Sequence, residues 1–392
     1  MKNYKELLVE NRAWAEETFK KIDKKMSAVT LRSRNKLPDG VDKDGVHIDL
    51  YTTNKNGWTA GFWGSLNAIL YEYTKNEEYL KTAKASAEML SDALQNFDLL
   101  DHDVGFIYHL VFSPLYRITG DNSYRVKNLF AAATLASRFV DGPNFIRAWN
   151  PWCPGDEKAH NWSIIDCLMN LPLLYWASRD KNDDRFTRIA EKHADMALRA
   201  HLRPDGSVAH IVEHSRETGE VVKTYGGQGY KEGSSWSRGQ AWALYGFALS
   251  YIHTGEVRYL DAAKQVANYF IANVCDDWLP RVDFRSPSEP VYYDSTAGAC
   301  AACGLLELAR HLPEDEGGMY ANAAINILRA EGEHFANFDP NRDDMIGFGS
   351  IRYPSTEVFS GDAGLHKSII YADLFYTEAI LKLLGSDFSP WA

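Results

Sequence analysis

A recurrent joint between helices is the sequence feature that most limits the possible folds of this chain. In each copy, one helix ends, a polar turn follows, and an aromatic residue opens an amphipathic helix. Three copies are clear, and they are YEYTKNEEYLKTA from Tyr71, YRITGDNSYRVKN from Tyr116 and YIHTGEVRYLDAA from Tyr251. A degenerate fourth copy, ASRDKNDDRFTRIA, starts at Ala177. Helical hairpins repeated in this way bury their apolar faces by stacking on their neighbours.

Apolar periodicity extends this pattern over most of the chain. Apolar residues that recur with the helical period predict about twelve helices. The predicted helices are 3–26, 57–75, 77–97, 105–119, 121–140, 161–179, 183–201, 236–255, 257–275, 294–312, 317–336 and 367–385. Alternating apolar residues predict one β-hairpin over 206–225, which turns at Glu217-Thr218-Gly219.

Six hairpins of this kind can form an open solenoid or a closed ring. Long connections separate the pairs, and we expect them to follow the inner helices. They are 27–56, 140–160, 202–235, 276–293 and 337–366. Because connections this long often build a binding face, we predict an all-α, six-hairpin α/α toroid, an (α/α)6 barrel with one small β-hairpin insertion and a loop-walled pocket. No Pro/Gly/Ser-rich linker divides the chain, which predicts a single domain over 1–392.

Charge and cysteine usage limit the possible partners. The formal net charge of −11 argues against nucleic acid and anionic membranes, since both need a basic surface. The five cysteines, Cys153, Cys167, Cys275, Cys300 and Cys303, show no paired metal-ligand spacing. Cys300 and Cys303 lie in a small-residue stretch typical of a packed helix. The N-terminus lacks an apolar signal core, and free cysteines fit a reducing compartment, so we expect a cytoplasmic protein.

Two aspartates stand in apolar surroundings. Asp103, in LLDHDVGFIYHL, precedes an apolar helix face, where the alternative is helix capping, a role open to Asp101 as well. Asp166, in NWSIIDCLMNLPLLYWAS, is predicted to lie within an apolar helix. Burial there would raise its pKa, as a general acid working near neutrality requires. The alternative for Asp166 is a core carboxylate paired with an arginine or a backbone amide.

The segment 225–247, YGGQGYKEGSSWSRGQAWALYGF, joins a glycine-rich loop to a helix, with Ser234 or Ser235 as the expected N-cap. Arg238 and Trp242 are four residues apart and share a helix face. An arginine in the first turn opposes the helix dipole, which favours a role in binding an anion beyond the helix end. A buried ion pair with a structural acid is the alternative.

Three further residues are candidates for the pocket. Trp58 and Trp63 can stack on a sugar ring or fill the core. His210, which alternates with apolar residues on the predicted hairpin, is by default a hydrogen-bonded structural histidine.

The motifs WTAGFW (58–63), DHDVGF (101–106), IIDCLMNLPLL (164–174) and QGYKEGSSWSRGQAWALYGF (228–247) resemble those of the unsaturated glucuronyl hydrolases, glycoside hydrolase family 88. The resemblance covers nearly the whole chain. It implies a six-hairpin toroid, catalytic Asp103 and Asp166, and substrate-binding Trp58, His210, Gln228, Arg238 and Trp242. The family's sulfate-recognising segment is matched loosely by SGDAGLHKS (360–368), where Lys367 and Ser368 are candidates.

The resemblance also implies an unusual reaction with no metal and no other cofactor. The substrates would be unsaturated glycosaminoglycan disaccharides or oligosaccharides, made by polysaccharide lyases, whose terminal glucuronic acid carries a 4,5 double bond. Asp166 would protonate carbon 4, water would add to carbon 5, and Asp103 would orient or stabilise the charge. One alternative is a family 105-like unsaturated rhamnogalacturonyl hydrolase, although SRGQAW differs from the RGNGW-type stretch expected there. The other is a noncatalytic carbohydrate-binding toroid.

Overall fold

The computed structural model describes residues 2–150, 158–274, 276–356 and 358–392, and helices dominate them. The helices, in chain order, are α1 Tyr4–Arg32, α2 Leu50–Thr53, α3 Phe62–Thr74, α4 Glu77–Ala93, α5 Leu110–Thr119, α6 Asn122–Ser137, α7 Pro172–Lys181, α8 Arg185–Ala200, α9 Ser237–Thr254, α10 Val257–Asn273, α11 Ser295–His311, α12 Glu314–His334 and α13 Ile370–Leu383. All of them except the single-turn α2 belong to a double ring.

The inner ring consists of α3, α5, α7, α9, α11 and α13, and its helices are buried over most of their surface, as residues 237–250 of α9 show. The outer helices are amphipathic and cover the inner ring. Each of the first five inner helices packs on the outer helix that follows it in the chain, and α13 packs on α1. The first helix therefore closes the ring against the last, and the predicted α/α toroid is confirmed.

Short joints connect the inner helices to the outer ones. Four inner helices end in a left-handed residue, at Lys75, Gly120, Asn182 and Gly255. This conformation ends a helix while its amide still bonds to the preceding turn. In two joints an N-cap side chain then starts the outer helix, as when Asp121 accepts the amide of Ser123 at 2.8 Å. These local bonds explain why the joint recurs in the sequence.

Long connections follow the outer helices, so our expectation that they follow the inner ones was wrong. Because the short joints occupy one end of the barrel, the long connections gather at the other end. There they precede the N-termini of the inner helices. This placement brings loops that are distant in sequence to one face of the toroid.

Seven short strands form three small sheets in these connections. The strands are β1 Pro38–Val41, β2 His47–Asp49, β3 Phe139–Val140, β4 Phe145–Ile146, β5 Trp162–Ile164, β6 Ile211–His214 and β7 Val221–Tyr225. The predicted hairpin is present as β6–β7, and β5 adds to its edge. The pairs β1–β2 and β3–β4 were not predicted, because strands of two to four residues are too short to show an alternating pattern.

The predicted helix 161–179 was wrong in its first half. Residues 162–164 form β5, a 3₁₀ turn covers Ile165–Met169, and α7 begins only at Pro172. Proline favours the first turn of a helix because it lacks an amide hydrogen, and the β-branched isoleucines before it suit a strand. Asp166 therefore lies in a tight turn between a strand and a helix.

Candidate active site

A cavity of about 280 Å³ opens where the long connections meet the N-termini of the inner helices. Its lining residues are Asp39, Gly40, Val41, Ile48, Trp58, Thr59, His102, Asp103, Trp149, Asp166, Gln228, Trp236, Arg238, Trp242, Ile351, Lys367, Ser368, Ile369 and Tyr371. Six of the seven predicted site residues are among them. The seventh, His210, lies directly behind Asp166.

Strand pairing positions Asp166. Ile164 pairs with Ile211 across β5 and β6, and the amide of Ile165 donates to the carbonyl of His210 at 3.1 Å. The 3₁₀ turn then presents the Asp166 side chain, 17% exposed, to the cavity. Burial raises the pKa of Asp166 to about 7, although the nearby charge of Arg238 acts in the opposite direction. The carboxyl can therefore give and take a proton near neutral pH.

His210 supports Asp166 through a defined tautomer. Its Nδ1 accepts the backbone amide of Gln228 at 2.9 Å, which places the hydrogen of the neutral ring on Nε2. Nε2 lies 3.6 Å from Oδ1 of Asp166, and neither atom has a hydrogen-bond partner within the described ranges. Burial, with the charge of Arg238, lowers the pKa of His210 well below its usual range. The N–H group at Nε2 of the neutral His210 ring therefore faces Oδ1 of Asp166.

The absence of a side chain at Gly227 leaves the space that the His210 ring occupies. Its φ is +60°, and a β-carbon at this position would lie 1.9 Å from Nδ1 of His210. We expect Gly227→Ala to lower kcat by about tenfold, because the imidazole must move away from Asp166. Steady-state kinetics together with thermal melting would measure the effect.

The matched control for that variant is Gly233→Ala in the same loop. Gly233 has a φ of +73°, but a β-carbon there meets no atom within 4 Å. It carries the same backbone strain without the collision, so kcat should stay close to wild type. Equal losses in the two variants would attribute the effect to backbone strain and not to His210.

Asp103 lies in the turn before a π-helical segment, Gly105–His109, that leads into α5. Asn170 donates to Oδ1 of Asp103 at 3.4 Å, and Nε2 of His102 lies 3.5 Å from the same oxygen. Burial, followed by the carboxyls of Asp101 and Asp166, raises the pKa of Asp103 well above its usual value. Asp103 therefore retains its proton to higher pH than an ordinary aspartic acid.

Two predicted helix caps were wrong. The carboxylate of Asp101 accepts the amide of Asp103 at 2.9 Å, which closes a local turn, and the π-helical segment has no side-chain cap. Helix α9 takes Trp236 as its N-cap residue, with no side-chain bond, so neither Ser234 nor Ser235 caps it. Ser235 instead donates its amide to Asp283, which anchors the preceding loop.

Arg238 lines the cavity, yet its hydrogen bonds go to the protein. Its guanidinium pairs with Asp294 at 2.7 Å, and it also donates to the carbonyls of Ser350 and Ile351. The buried ion pair weighed as an alternative is thus present. Arg238 also supplies the positive charge that limits the rise in the pKa of Asp166. These acceptors account for its position in the first turn of α9, while its side chain still lines the cavity.

Aromatic rings form the cavity wall. Trp58 packs edge-on against Trp242 at 6.4 Å and lies 4.8 Å from the ring of Tyr371. Trp63, the other tryptophan candidate, is fully buried against His47 and does not line the cavity, so it belongs to the core. Gln228 and Lys367 complete the polar rim. The amide nitrogen of Gln228 donates to Ile351, and Lys367 pairs with Asp362 at 2.7 Å.

The cavity residues missed by the sequence analysis include four that carry an aromatic or imidazole ring, namely His102, Trp149, Trp236 and Tyr371. His102 lies in the motif DHDVGF (101–106) and Trp236 in the motif 228–247, where Asp103 and Arg238 gave stronger signals of function. Trp149 lies in a long connection and Tyr371 at the start of α13, and neither position has a local pattern that marks it. Only the three-dimensional path of the loops brings them to the cavity.

The described residues show no cluster of metal ligands, and their cysteines are buried. Within the described ranges, no group of three or more His, Cys, Asp or Glu residues is arranged to hold a metal ion. Cys167, Cys300 and Cys303 are buried free thiols, the last two within α11, while Cys153 and Cys275 lie outside the described residues. No helix found in those ranges is both long enough and apolar enough to cross a bilayer.

Fold and site together define a glycoside hydrolase built on a helical toroid. The model of Glycosyl Hydrolase Family 88 matches residues 35–283. The chain is 37% identical to the unsaturated glucuronyl hydrolase of Bacillus sp. (strain GL1) over 360 residues, which cover 91% of this chain and 94% of that protein. It is 32% identical to the unsaturated chondroitin disaccharide hydrolase of Streptococcus pneumoniae (strain ATCC BAA-255 / R6) over 377 residues, covering 94% and 92%.

The solved structure of the Bacillus sp. GL1 enzyme, described as responsible for glycosaminoglycan degradation, superposes with a TM-score of 0.85 at 33% identity. It covers 93% of this chain, and this chain covers 96% of it. The chain therefore belongs to glycoside hydrolase family 88, and the resemblance inferred from its motifs is confirmed.

Proposed function

We propose that the protein releases 4,5-unsaturated glucuronic acid from the non-reducing end of lyase-generated glycosaminoglycan oligosaccharides by hydrating the vinyl ether double bond. The observation that carries this proposal is the pair of carboxyls, Asp103 and Asp166, in one aromatic cavity. Both have raised pKa values, and that of Asp166 is about 7. The names of the two relatives support the substrate class.

The proposed reaction begins with proton transfer from Asp166. Its O–H bond breaks, a C–H bond forms at carbon 4 from the π electrons, and positive charge develops at carbon 5 and the ring oxygen. Water then bonds to carbon 5 and returns a proton to the Asp166 carboxylate, which restores the acid. The resulting hemiketal opens, and the hemiacetal left at carbon 1 releases the remaining sugar without direct attack at that carbon.

The other cavity residues are assigned supporting roles. Asp103 stabilises the charge that develops at carbon 5, since the lone pairs of its carboxyl oxygens can face that charge in the same cavity. Trp58 and Trp242 provide flat apolar surfaces for the sugar ring, and Gln228 offers amide hydrogen bonds to its polar groups. His210 acts on Asp166 and not on the sugar, and Arg238 supplies positive charge near the substrate carboxylate.

The proposal extends to domain organisation and location. One buried apolar cluster runs from Leu7 to Trp391, which supports a single catalytic domain over the chain. The buried thiols of Cys167, Cys300 and Cys303 are unpaired, which supports action in the reducing cytoplasm.

The direct test is turnover of a panel of unsaturated disaccharides, followed by the loss of their ultraviolet absorbance. We expect hydrolysis of lyase-generated chondroitin, hyaluronan or heparin disaccharides. Unsaturated galacturonyl-rhamnose serves as the control substrate and should react far more slowly. Preference for that control would assign the chain a different substrate, and tight binding without turnover would remove the catalytic proposal.

The pH dependence of kcat/KM should follow the proton on Asp166. Because the pKa of Asp166 is raised to about 7, the proton-donating form dominates below that pH and is lost above it. We expect kcat/KM to fall about tenfold per pH unit above about pH 7. A profile measured in buffers of constant ionic strength would check this, and a rate that stays constant to about pH 9 would contradict the assignment of Asp166 as the acid.

A further inference from the structure

A second cavity, of about 530 Å³, adjoins the chain segment that carries Trp149. Trp149 lines the catalytic cavity, and the next residue, Asn150, lines the second one. Its described lining also includes Phe97, Arg138, Phe139 and Arg147. None of these residues takes part in the proposed reaction.

Two guanidinium groups, those of Arg138 and Arg147, lie at this cavity. Among the described residues, the hydrogen bonds of Arg138 go to neutral oxygens: Nε donates to the carbonyl of Arg147 at 2.9 Å, and the other nitrogens donate to Leu100, Ala148 and Asn150. Burial lowers the pKa of Arg138 to about 10; the carboxyl of Asp101 opposes this shift, and the charge of Arg147 adds to it. The charge of Arg138 is therefore partly balanced by Asp101, and its hydrogen bonds are used within the protein.

Arg147 has unused hydrogen-bonding capacity. One of its nitrogens donates to the side-chain oxygen of Asn150 at 3.2 Å, while its Nε is buried and has no partner in the described ranges. Asp98 is the only acid among the described lining residues, and it forms no ion pair with either arginine. The unpartnered Nε of Arg147 therefore gives this cavity a cationic donor for an oxyanion, which an arginine fork binds with two parallel bonds.

An aromatic ring stands beside these charges. Phe97 is 66% exposed, an unusual degree for a phenylalanine, and Phe139 is half-buried next to it. An exposed ring next to cationic donors matches the two faces of an acidic sugar, whose C–H face is apolar and whose carboxylate or sulfate is charged.

We propose that this second cavity is a binding site for an oxyanion-bearing sugar, distinct from the catalytic cavity and held by Arg147 through its charge and by Phe97 through its ring. The sugar acid can be part of a long substrate or a free product, because both present the same chemistry. The inference does not depend on the proposed reaction, since binding here needs no turnover.

The test is calorimetric titration of the full chain with two probes, glucuronate and inorganic sulfate. Arg147→Gln should weaken both probes at this site by about tenfold or more, because a charge-assisted pair of bonds is lost. Phe97→Ala should weaken glucuronate by about threefold and leave sulfate unchanged, since sulfate has no apolar face. Arg147→Lys, which keeps the charge without the fork, should lie between wild type and Arg147→Gln.

The matched control is Arg188→Gln, which removes an exposed arginine that is paired with Asp184 and does not line the cavity. It should bind both probes as wild type does. Turnover of an unsaturated disaccharide should be unchanged in Arg147→Gln, and this activity also verifies that the variant is folded. Wild-type affinity for both probes in Arg147→Gln would overturn the site, and weakened sulfate with unchanged glucuronate would overturn the sugar as its ligand.

Discussion

Asp166→Asn is expected to lower kcat by about 1,000-fold, within the range lost when a general acid–base group is removed. An amide cannot donate a proton to carbon 4 at neutral pH, nor take one back from water. The substitution is nearly isosteric in the 3₁₀ turn that follows β5, and Oδ1 of Asp166 has no hydrogen-bond partner among the described residues to lose. The melting temperature should therefore stay close to that of the wild type.

Asp373→Asn is the matched control. Asp373 is also buried, burial raises its pKa to about 7, and it lies on inner helix α13 but does not line the cavity. Its Oδ1 accepts the amide of Ile346 at 2.8 Å, an acceptor role that asparagine retains. This variant should keep kcat. Activity of Asp166→Asn within tenfold of wild type, in folded protein, would refute the proposed acid.

Asp103→Asn should produce the second largest loss, about 100-fold in kcat, with KM changed little. The amide oxygen of asparagine preserves the bond to Asn170, but its NH2 group, unlike a carboxyl oxygen, has no available lone pair to direct at the positive charge that develops at carbon 5. The loss is therefore confined to the transition state. Initial rates over a range of substrate concentrations would separate kcat from KM.

The neighbouring acid provides the comparison for Asp103. Asp101 does not line the cavity, and its carboxylate accepts the amide of Asp103, a bond that asparagine can keep. Asp101→Asn should therefore retain most of kcat. If KM rose in Asp103→Asn while kcat held, Asp103 would be a residue that binds the ground state and not one that stabilises the transition state.

Local sequence was sufficient to predict most of the fold. The polar joints at Tyr71, Tyr116 and Tyr251 identified three hairpins because their capping bonds lie within a few residues of each other. Helix ends generally fell within a few residues of the prediction. The failure at 161–179 arose because β5 is a strand only through its pairing with β6, a partner almost fifty positions away. The apolar periodicity of a segment contains no information about a strand so distant in sequence.

The site was predicted where burial itself was the signal. An acid among isoleucines, as at Asp166, indicates function from its neighbours alone, whereas Trp149 and Tyr371 reach the cavity only through the path of the loops. Arg238 shows the limit of local electrostatics. Its place in the first turn of α9 correctly indicated a negative partner, but that partner is Asp294, whose position depends on the packing of α11.

The pairing of α1 with α13 has a consequence for biosynthesis. Lys25 of α1 donates to the carbonyls of Asp339 and Arg342, and its neighbours Ile22, Met26 and Val29 are fully buried. During translation these apolar residues emerge before the segments that cover them. Contacts of such long sequence separation form slowly. The nascent α1 is therefore a part of the chain on which we expect chaperones to act until the segments that cover it have been synthesised.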